Sequence, residues 1–177
     1  LLSDEKREFI TLAAKEIYDG QHYEQFPVDV YQTGSGTSTN MNVNEVIANR
    51  SNQISANTTK DGKNNLCVHP NDDVNQSQSS NDTFPTAIHI AISLKIKNEL
   101  LHELELFHQA LVQKSEAFKD VLKIGRTHLM DATPISLGQE FGGYAKQLQY
   151  AIQRSNKALD ALLELPLGGT AVGTGLN

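Results

Sequence analysis

Residues 83–118 read TFPTAIHIAISLKIKNELLHELELFHQALVQKSEAF. Ile88, Ala91, Leu94, Leu101, Leu104, Phe107 and Leu111 recur at the spacing of one helix face, not the alternation of a strand. An uninterrupted helix of about 35 residues is roughly 50 Å long, and its apolar stripe must be buried against partners of similar length. A second such pattern runs from Ile135 to Leu163, between Pro134 and Pro166. The polar segment Lys123 to Thr133 joins the two, so they are expected to pair as antiparallel helices.

Upstream the pattern is shorter and more broken. Ser3 can cap a helix whose first turn holds Asp4 and Glu5, with Phe9, Ile10, Ala13, Ala14 and Ile17 as its apolar stripe and Gly20 near its end. From His22 to Thr39 the chain reads as extended, leading into Gly34-Ser35-Gly36-Thr37. A helix is predicted from about Met41 to about Ala56, burying Val43, Val46, Ile47 and Ile54. Residues 57–81 are almost wholly polar and read as a loop, of a length that is usually functional. There is no internal repeat and no βαβ alternation. The expected fold is mainly α: an N-terminal helical and loop domain over residues 1–81, then long antiparallel helices over residues 82–177.

Composition narrows the functions. Charged residues are 20% and hydrophobic residues 38% of the 177, an ordinary globular balance. No apolar run is long enough to span a bilayer, so no membrane partner is expected. The net charge is -6, with no Lys/Arg block to neutralise phosphates, so no nucleic-acid partner is expected either. The single Cys67 excludes an internal disulfide. The chain opens directly into a helical pattern, so any targeting segment would lie upstream of it, and a cytoplasmic location, or the mitochondrial matrix in a eukaryote, is expected.

Four segments carry polar chemistry. Ser77-Gln78-Ser79-Ser80-Asn81-Asp82 stands where the longest helix begins, bringing hydroxyls and an amide to its orphan N–H groups and positive dipole end, as carboxylate binding requires. The plainer reading is that Ser80 or Asp82 caps the helix. Gly34-Ser35-Gly36-Thr37 lets backbone approach a ligand, or is a surface turn; it lacks the spacing of a dinucleotide loop and the lysine of a phosphate loop. Gly125-Arg126-Thr127-His128-Leu129-Met130-Asp131 combines a cation, a hydroxyl, an imidazole and a carboxylate, suiting proton transfer near neutral pH, although a lone loop histidine is commonly just solvated. His69 and Asp72-Asp73 could be read as metal ligands, but no cysteine or second histidine stands at metal spacing, so no metal is expected.

Taken in order, the segments 32–42 (QTGSGTSTNMN), 68–75 (VHPNDDVN), 77–85 (SQSSNDTFP), 125–128 (GRTH) and 167–177 (LGGTAVGTGLN) resemble the cofactor-free fumarate hydratases of the fumarase/aspartase superfamily. The resemblance covers nearly the whole chain. It implies reversible hydration of fumarate to malate in the tricarboxylic acid cycle, a carbon–oxygen lyase without cofactor, and a fold whose central helical bundle is incomplete here. It implies homotetramers whose helices form a common bundle, with each active site drawing loops from three subunits. Carried over by position, Ser35, Gly36, Thr37, Ser79, Ser80, Asn81 and Thr127 become substrate-carboxylate contacts, His128 the proton-handling residue, and His69, Pro70, Asn71 and Asp72 a secondary dicarboxylate site. Related fumarases often carry a basic pair just before Val68, where this chain has Leu66-Cys67. The family's carbon-acid base is a serine on a Gly-Ser-Ser loop followed by a lysine and an asparagine, and its counterpart would lie beyond Asn177, so the 177 residues alone are expected to be inactive. Aspartate ammonia-lyases are the near neighbours, but usually show Gly-Ala-Gly where Gly34-Ser35-Gly36 stands and Gln where His128 stands. A lyase acting on aspartate or another succinyl compound, or a non-catalytic assembly segment, are the alternative expectations.

Overall fold

The structure, a computed structural model, describes residues 2–32, 36–58 and 66–176. It is mainly α, with one two-stranded sheet, and divides into two compact units: residues 1–87 with 165–177, and residues 88–164.

In the first unit, helix α1 (Asp4–Tyr18) starts where the sequence predicts: the Ser3 side chain accepts from the Lys6 N–H, and Asp4 and Glu5 face the positive end of the dipole. The stretch read as extended contains a 3-10 turn at Tyr23–Gln25. Helix α2 (Thr37–Thr58) begins four residues earlier than predicted and buries a different face. Asn44, Ala48, Ser51 and Ser55 are buried, while Val43, Val46, Ile47 and Ile54 are only half-buried. Small side chains let α2 sit close to its neighbours, and the Ser51 hydroxyl is satisfied locally, donating to the Ile47 carbonyl at 2.7 Å. Asn52 clamps the incoming chain, accepting from the Val68 N–H at 2.8 Å and donating to the Val68 carbonyl at 3.1 Å. That clamp seats Val68 with Ala48 and Val74 in a core that Ile10, Ile47 and Leu66 close over. The segment read as loop carries a π turn at Pro70–Val74.

Helix α1 is stapled to α2 by an ion pair. Arg50 reaches Glu16 through Nε at 2.6 Å and Nη2 at 3.0 Å, a two-pronged guanidinium–carboxylate geometry, and His22 Nε2 lies 2.8 Å from the same carboxylate. Hydrogen bonding to Arg50, then to His22, lowers the Glu16 carboxyl from 4.5 to about 2. A carboxyl depressed by folding stabilises the fold above its unfolded value, and that contribution disappears as pH falls through the folded value. Arg50→Ala is therefore expected to cost about 1–2 kcal/mol at pH 7, after discounting for partial solvent screening. The difference between variant and parent should shrink between pH 4.5 and about 2. Urea unfolding at pH 7 and pH 3 measures both.

Helix α3 (Ser80–Lys95) runs without a break through a π turn at Ile96–Leu100 into α4 (Leu101–Ala117), the long helix predicted for 83–118. In the second unit, α4 packs antiparallel on α5 (Leu137–Leu162): the Ser115 hydroxyl donates to the Gly138 carbonyl at 2.7 Å near one end, and His89 Nδ1 meets the Glu164 carbonyl at 2.8 Å near the other. Gly138 sits where a Cβ would stand 2.7 Å from Lys119 Cα, so the helices touch through backbone there. The Phe118 and Phe141 rings pack 5.5 Å apart beside it.

The connection between these helices, read from sequence as a polar loop, is an antiparallel hairpin. Strand β1 (Leu122–Thr127) pairs with β2 (Met130–Ser136), with a bulge between Ile124 and Arg126. Gly125 lies in that bulge, and a Cβ there would overlap the Thr133 carbonyl. The base of the hairpin is fixed to α5. Ser136 and Gln139 cap the helix reciprocally, and Lys123 pairs with Glu140, which also accepts from the Tyr144 hydroxyl at 2.6 Å.

Within this unit the apolar stripe is only partly covered. Leu111 is buried and Leu101 and Leu104 are half-buried, but Leu94 is 54% and Phe107 57% exposed. An apolar groove of about 470 Å³ follows Ala91, Ile92, Ile96 and Leu100.

Candidate functional site

The first unit gathers the polar residues of three motifs around the start of α3. Asn75 Oδ1 accepts from Asn44 Nδ2 at 2.9 Å and Asn40 Nδ2 at 3.2 Å. Asn40 Nδ2 also donates to Ser80 Oγ at 3.0 Å, and Asn40 Oδ1 lies 3.1 Å from the Thr83 hydroxyl. Two amides of α2 and that of Asn75 form one network, and through Asn40 it holds the Ser80 hydroxyl oxygen. A cavity of about 390 Å³ opens beside them, and its lining includes polar Thr39, Asn40, Asn44 and Thr83 as well as apolar Val43 and Phe84.

Capping at α3 falls to Ser79 and Asp82. Ser79 Oγ accepts from the Asn81 N–H at 3.2 Å, and Asp82 Oδ1 accepts from the Ser79 N–H at 2.9 Å. Ser80 is not needed as a cap. Among the described residues the Ser79 and Ser80 hydroxyl oxygens accept and neither hydroxyl donates, so both O–H groups can turn to an anion at the helix N-terminus. The Asn81 amide makes a single long bond, 3.5 Å to the Ala171 carbonyl.

Asp82 is 2% exposed. Burial alone would push its carboxyl up; N–H groups from Ser79, Thr170, Gly168 and Thr83 outweigh it and hold the group below its ordinary value. Its Oδ2 accepts from the Gly168 and Thr170 N–H groups, each at 3.0 Å. The glycine-rich motif near the C-terminus is thereby tied to the serine motif. Asp82, Thr170, Asn40 and Asn75 stand in the quoted motifs, but residue type alone did not single out Thr170, Asn40 or Asn75. Only the paired N–H groups and shared amides reveal their roles.

Of the glycine motif at the start of α2, Gly36 and Thr37 are described and Ser35 lies outside the described residues. Gly36 has φ of 70° and is buried where a Cβ would fall inside the Phe84 ring, so no other residue fits. Thr37 is exposed in the first turn of α2.

In the segment expected to form a secondary site, His69 caps the π turn: Nδ1 accepts from the Asp72 N–H at 3.2 Å. Asp73 Oδ2 accepts from the His69 N–H at 2.8 Å and from Lys6 Nζ at 2.6 Å. Burial raises the Asp73 carboxyl, but these donors outweigh it and leave it lowered. His69, Asn71 and Asp72 remain exposed. Leu66 packs on the core. Among the described residues no three His, Cys, Asp or Glu side chains are grouped to hold a metal ion.

Thr127 and His128 belong to the second unit, at the hairpin tip. Thr127 pairs with Met130, and His128 and Leu129 have φ of 50° and 62°, a two-residue turn with both residues left-handed. Both Thr127 and His128 are exposed. Asp131 faces Arg126 across the ladder, and among the described residues no hydrogen bond or ion pair joins it to His128. The turn fixes the backbone of His128, and among the described residues no carboxylate holds its ring.

A family model described as "Lyase" matches residues 1–177, and the chain belongs to that lyase family. Over 177 residues it is 52% identical to the class II fumarate hydratase of Yersinia pestis, covering 100% of this chain and 37% of that protein. It is 56% identical to that of Mycobacterium tuberculosis (strain H37Rv), covering 100% of this chain and 35% of that protein. Among solved structures, the class II fumarase of Schistosoma mansoni matches with a TM-score of 0.82 and 45% identity, over 99% of this chain and 36% of that one. A fumarate lyase:delta crystallin of Brucella melitensis, bound to cobalt, matches with a TM-score of 0.78 and 45% identity, over 99% and 37%. The chain therefore spans little more than a third of the length of the curated relatives it matches. No helix among the described residues is long and apolar enough to cross a membrane.

Proposed function

We propose that this chain supplies the carboxylate-binding loops and the proton-handling histidine of a fumarate hydratase, which interconverts fumarate and malate. The observation that carries the proposal is identity above 50% along the whole chain with enzymes of that activity. The start of α3 supports it: two free hydroxyl donors, an amide and a helix N-terminus meet there. Dehydration of malate removes a weakly acidic proton beside a carboxylate, and the doubly charged aci-carboxylate so formed is stabilised by dense, preorganised donation. Ser35, Gly36, Thr37, Ser79, Ser80, Asn81 and Thr127 are assigned to the substrate carboxylates, and His128 to the proton. His69, Pro70, Asn71 and Asp72 are assigned to a second, weaker dicarboxylate site. A role in the tricarboxylic acid cycle and a cytoplasmic location go with this reading.

The test is an assay of the full gene product that contains this chain. Malate formed from fumarate, without ammonia released from aspartate, supports the proposal; ammonia release in its place assigns the chain to the aspartate branch.

The same reading makes the enzyme a homotetramer built on a shared bundle, and the exposed stripe of α3 and α4 supports that assembly. Ile90, Ile92, Leu94 and Phe107 are each more than 40% exposed, and apolar side chains left in water favour association. The 177-residue chain is expected to self-associate, with a sedimentation mass at least double 19.5 kDa. A monomer mass at all accessible concentrations would remove the assembly from the proposal.

A further inference from the structure

Asp82 is almost fully buried, and both its oxygens are engaged by backbone N–H groups, one from Ser79 and two from Gly168 and Thr170. Among the described residues no cation pairs with it. Asp82 stands in the first turn of α3, where its charge meets the positive end of the dipole, and Oδ1 alone serves the helix start by accepting from the Ser79 N–H. Its charge also stands beside a helix terminus where a dianion is proposed to bind, and like charges repel. Capping therefore does not account for Oδ2, which accepts from Gly168 and Thr170 outside the helix.

The segment it holds is itself made rigid. The Thr170 backbone is left-handed, with φ of 57°, and the Thr170 hydroxyl lies 2.6 Å from the Leu176 carbonyl and 2.7 Å from the Gly169 carbonyl. The Gly175 N–H donates to the Gly169 carbonyl at 3.2 Å, closing the loop on itself. This loop meets the serine motif twice, at the Asp82 carboxylate and where Asn81 Nδ2 reaches the Ala171 carbonyl.

We propose that Asp82 is a positioning residue of the dicarboxylate site: its buried carboxylate ties the start of α3 to the glycine-rich loop and so holds Ser79, Ser80 and Asn81 in the arrangement that grips a substrate carboxylate. The assignment rests on the fumarate hydratase reading. It gives a sign that a capping role does not. Asp82→Asn removes a negative charge, which by electrostatics alone tightens a dicarboxylate. The new amide, however, sets an N–H₂ against N–H donors on one side and breaks the tie there.

The experiment uses the full gene product and its Asp82→Asn variant, with succinate as an unreactive dicarboxylate probe. Expected are a succinate Kd raised at least about tenfold and a fumarate KM raised more than kcat is lowered. Amide exchange at Ser79, Gly168 or Thr170 should be faster by a similar factor, with the amides of α1 unchanged. A folded variant that binds succinate as tightly as the parent, or more tightly, overturns the assignment alone. A parent that neither binds succinate nor hydrates fumarate overturns the functional reading, and this assignment with it. Should the variant fail to fold, exchange in the parent decides: Gly168 and Thr170 amides at least about tenfold slower than those of Val172 and Thr174 support the tie, and equal rates overturn it.

Discussion

Asparagine in place of His128, in the full gene product, is expected to lower fumarate turnover by a factor of about 10² to 10⁴, the range for losing a positioned acid–base group. The substitution suits the position, because His128 sits at φ of 50° and asparagine is among the few residues that tolerate a left-handed backbone. The turn should survive, the imidazole alone should be lost, and circular dichroism and assembly mass should match the parent. Steady-state kinetics in both directions measure the effect. Near-parental turnover in a folded variant would remove His128 from the proton-handling role.

The 177-residue chain by itself is expected to convert no fumarate. By the resemblance, removal of the carbon-bound proton falls to a serine on a Gly-Ser-Ser loop backed by a lysine and an asparagine, and no Gly-Ser-Ser occurs in these 177 residues. Donors and a histidine without that base leave the carbon acid untouched, since residues that act as a unit lose activity together. The ultraviolet absorbance of fumarate, followed with malate as substrate, is the measurement. A rate above background in a pure preparation would mean that the base lies within these residues. Mixing the chain with the remaining portion of a full-length relative should restore turnover if the two assemble.

The long helices were legible because their apolar period continues through a π turn that the side-chain pattern does not register. The first helix was legible down to its cap, Ser3, because capping is a local matter. The buried face of α2 was misread: four β-branched residues outweighed Asn44, Ala48, Ser51 and Ser55 in a hydrophobicity pattern, yet close packing selected the small ones. The hairpin was misread because its turn is His128-Leu129, without the Asn-Gly or Gly that usually marks a left-handed pair, and because Pro134 argues against a strand. Both strands of a two-stranded sheet are edges, where proline is tolerated. In the site, the motif residues could be read in order along the chain. The tie between residues 82 and 170 could not, since hydrogen bonds to backbone across that distance leave no mark in residue type.

The hairpin can also be considered as a cantilever. It is clamped at its root by the Ser136–Gln139 cap and the Lys123–Glu140 pair, and its tip carries His128. Six residues of strand make an arm of about 20 Å. A tilt of about 5° at the root thus moves the imidazole by roughly 1.7 Å, more than the ~1 Å misplacement that already costs a catalyst dearly. On the role proposed for His128, mechanical stiffness at Lys123, Gly125 and Glu140, none of which need touch a substrate, sets how accurately the histidine is delivered. Directed evolution of the full gene product is then expected to find changes in turnover at the root of the arm as well as at its tip.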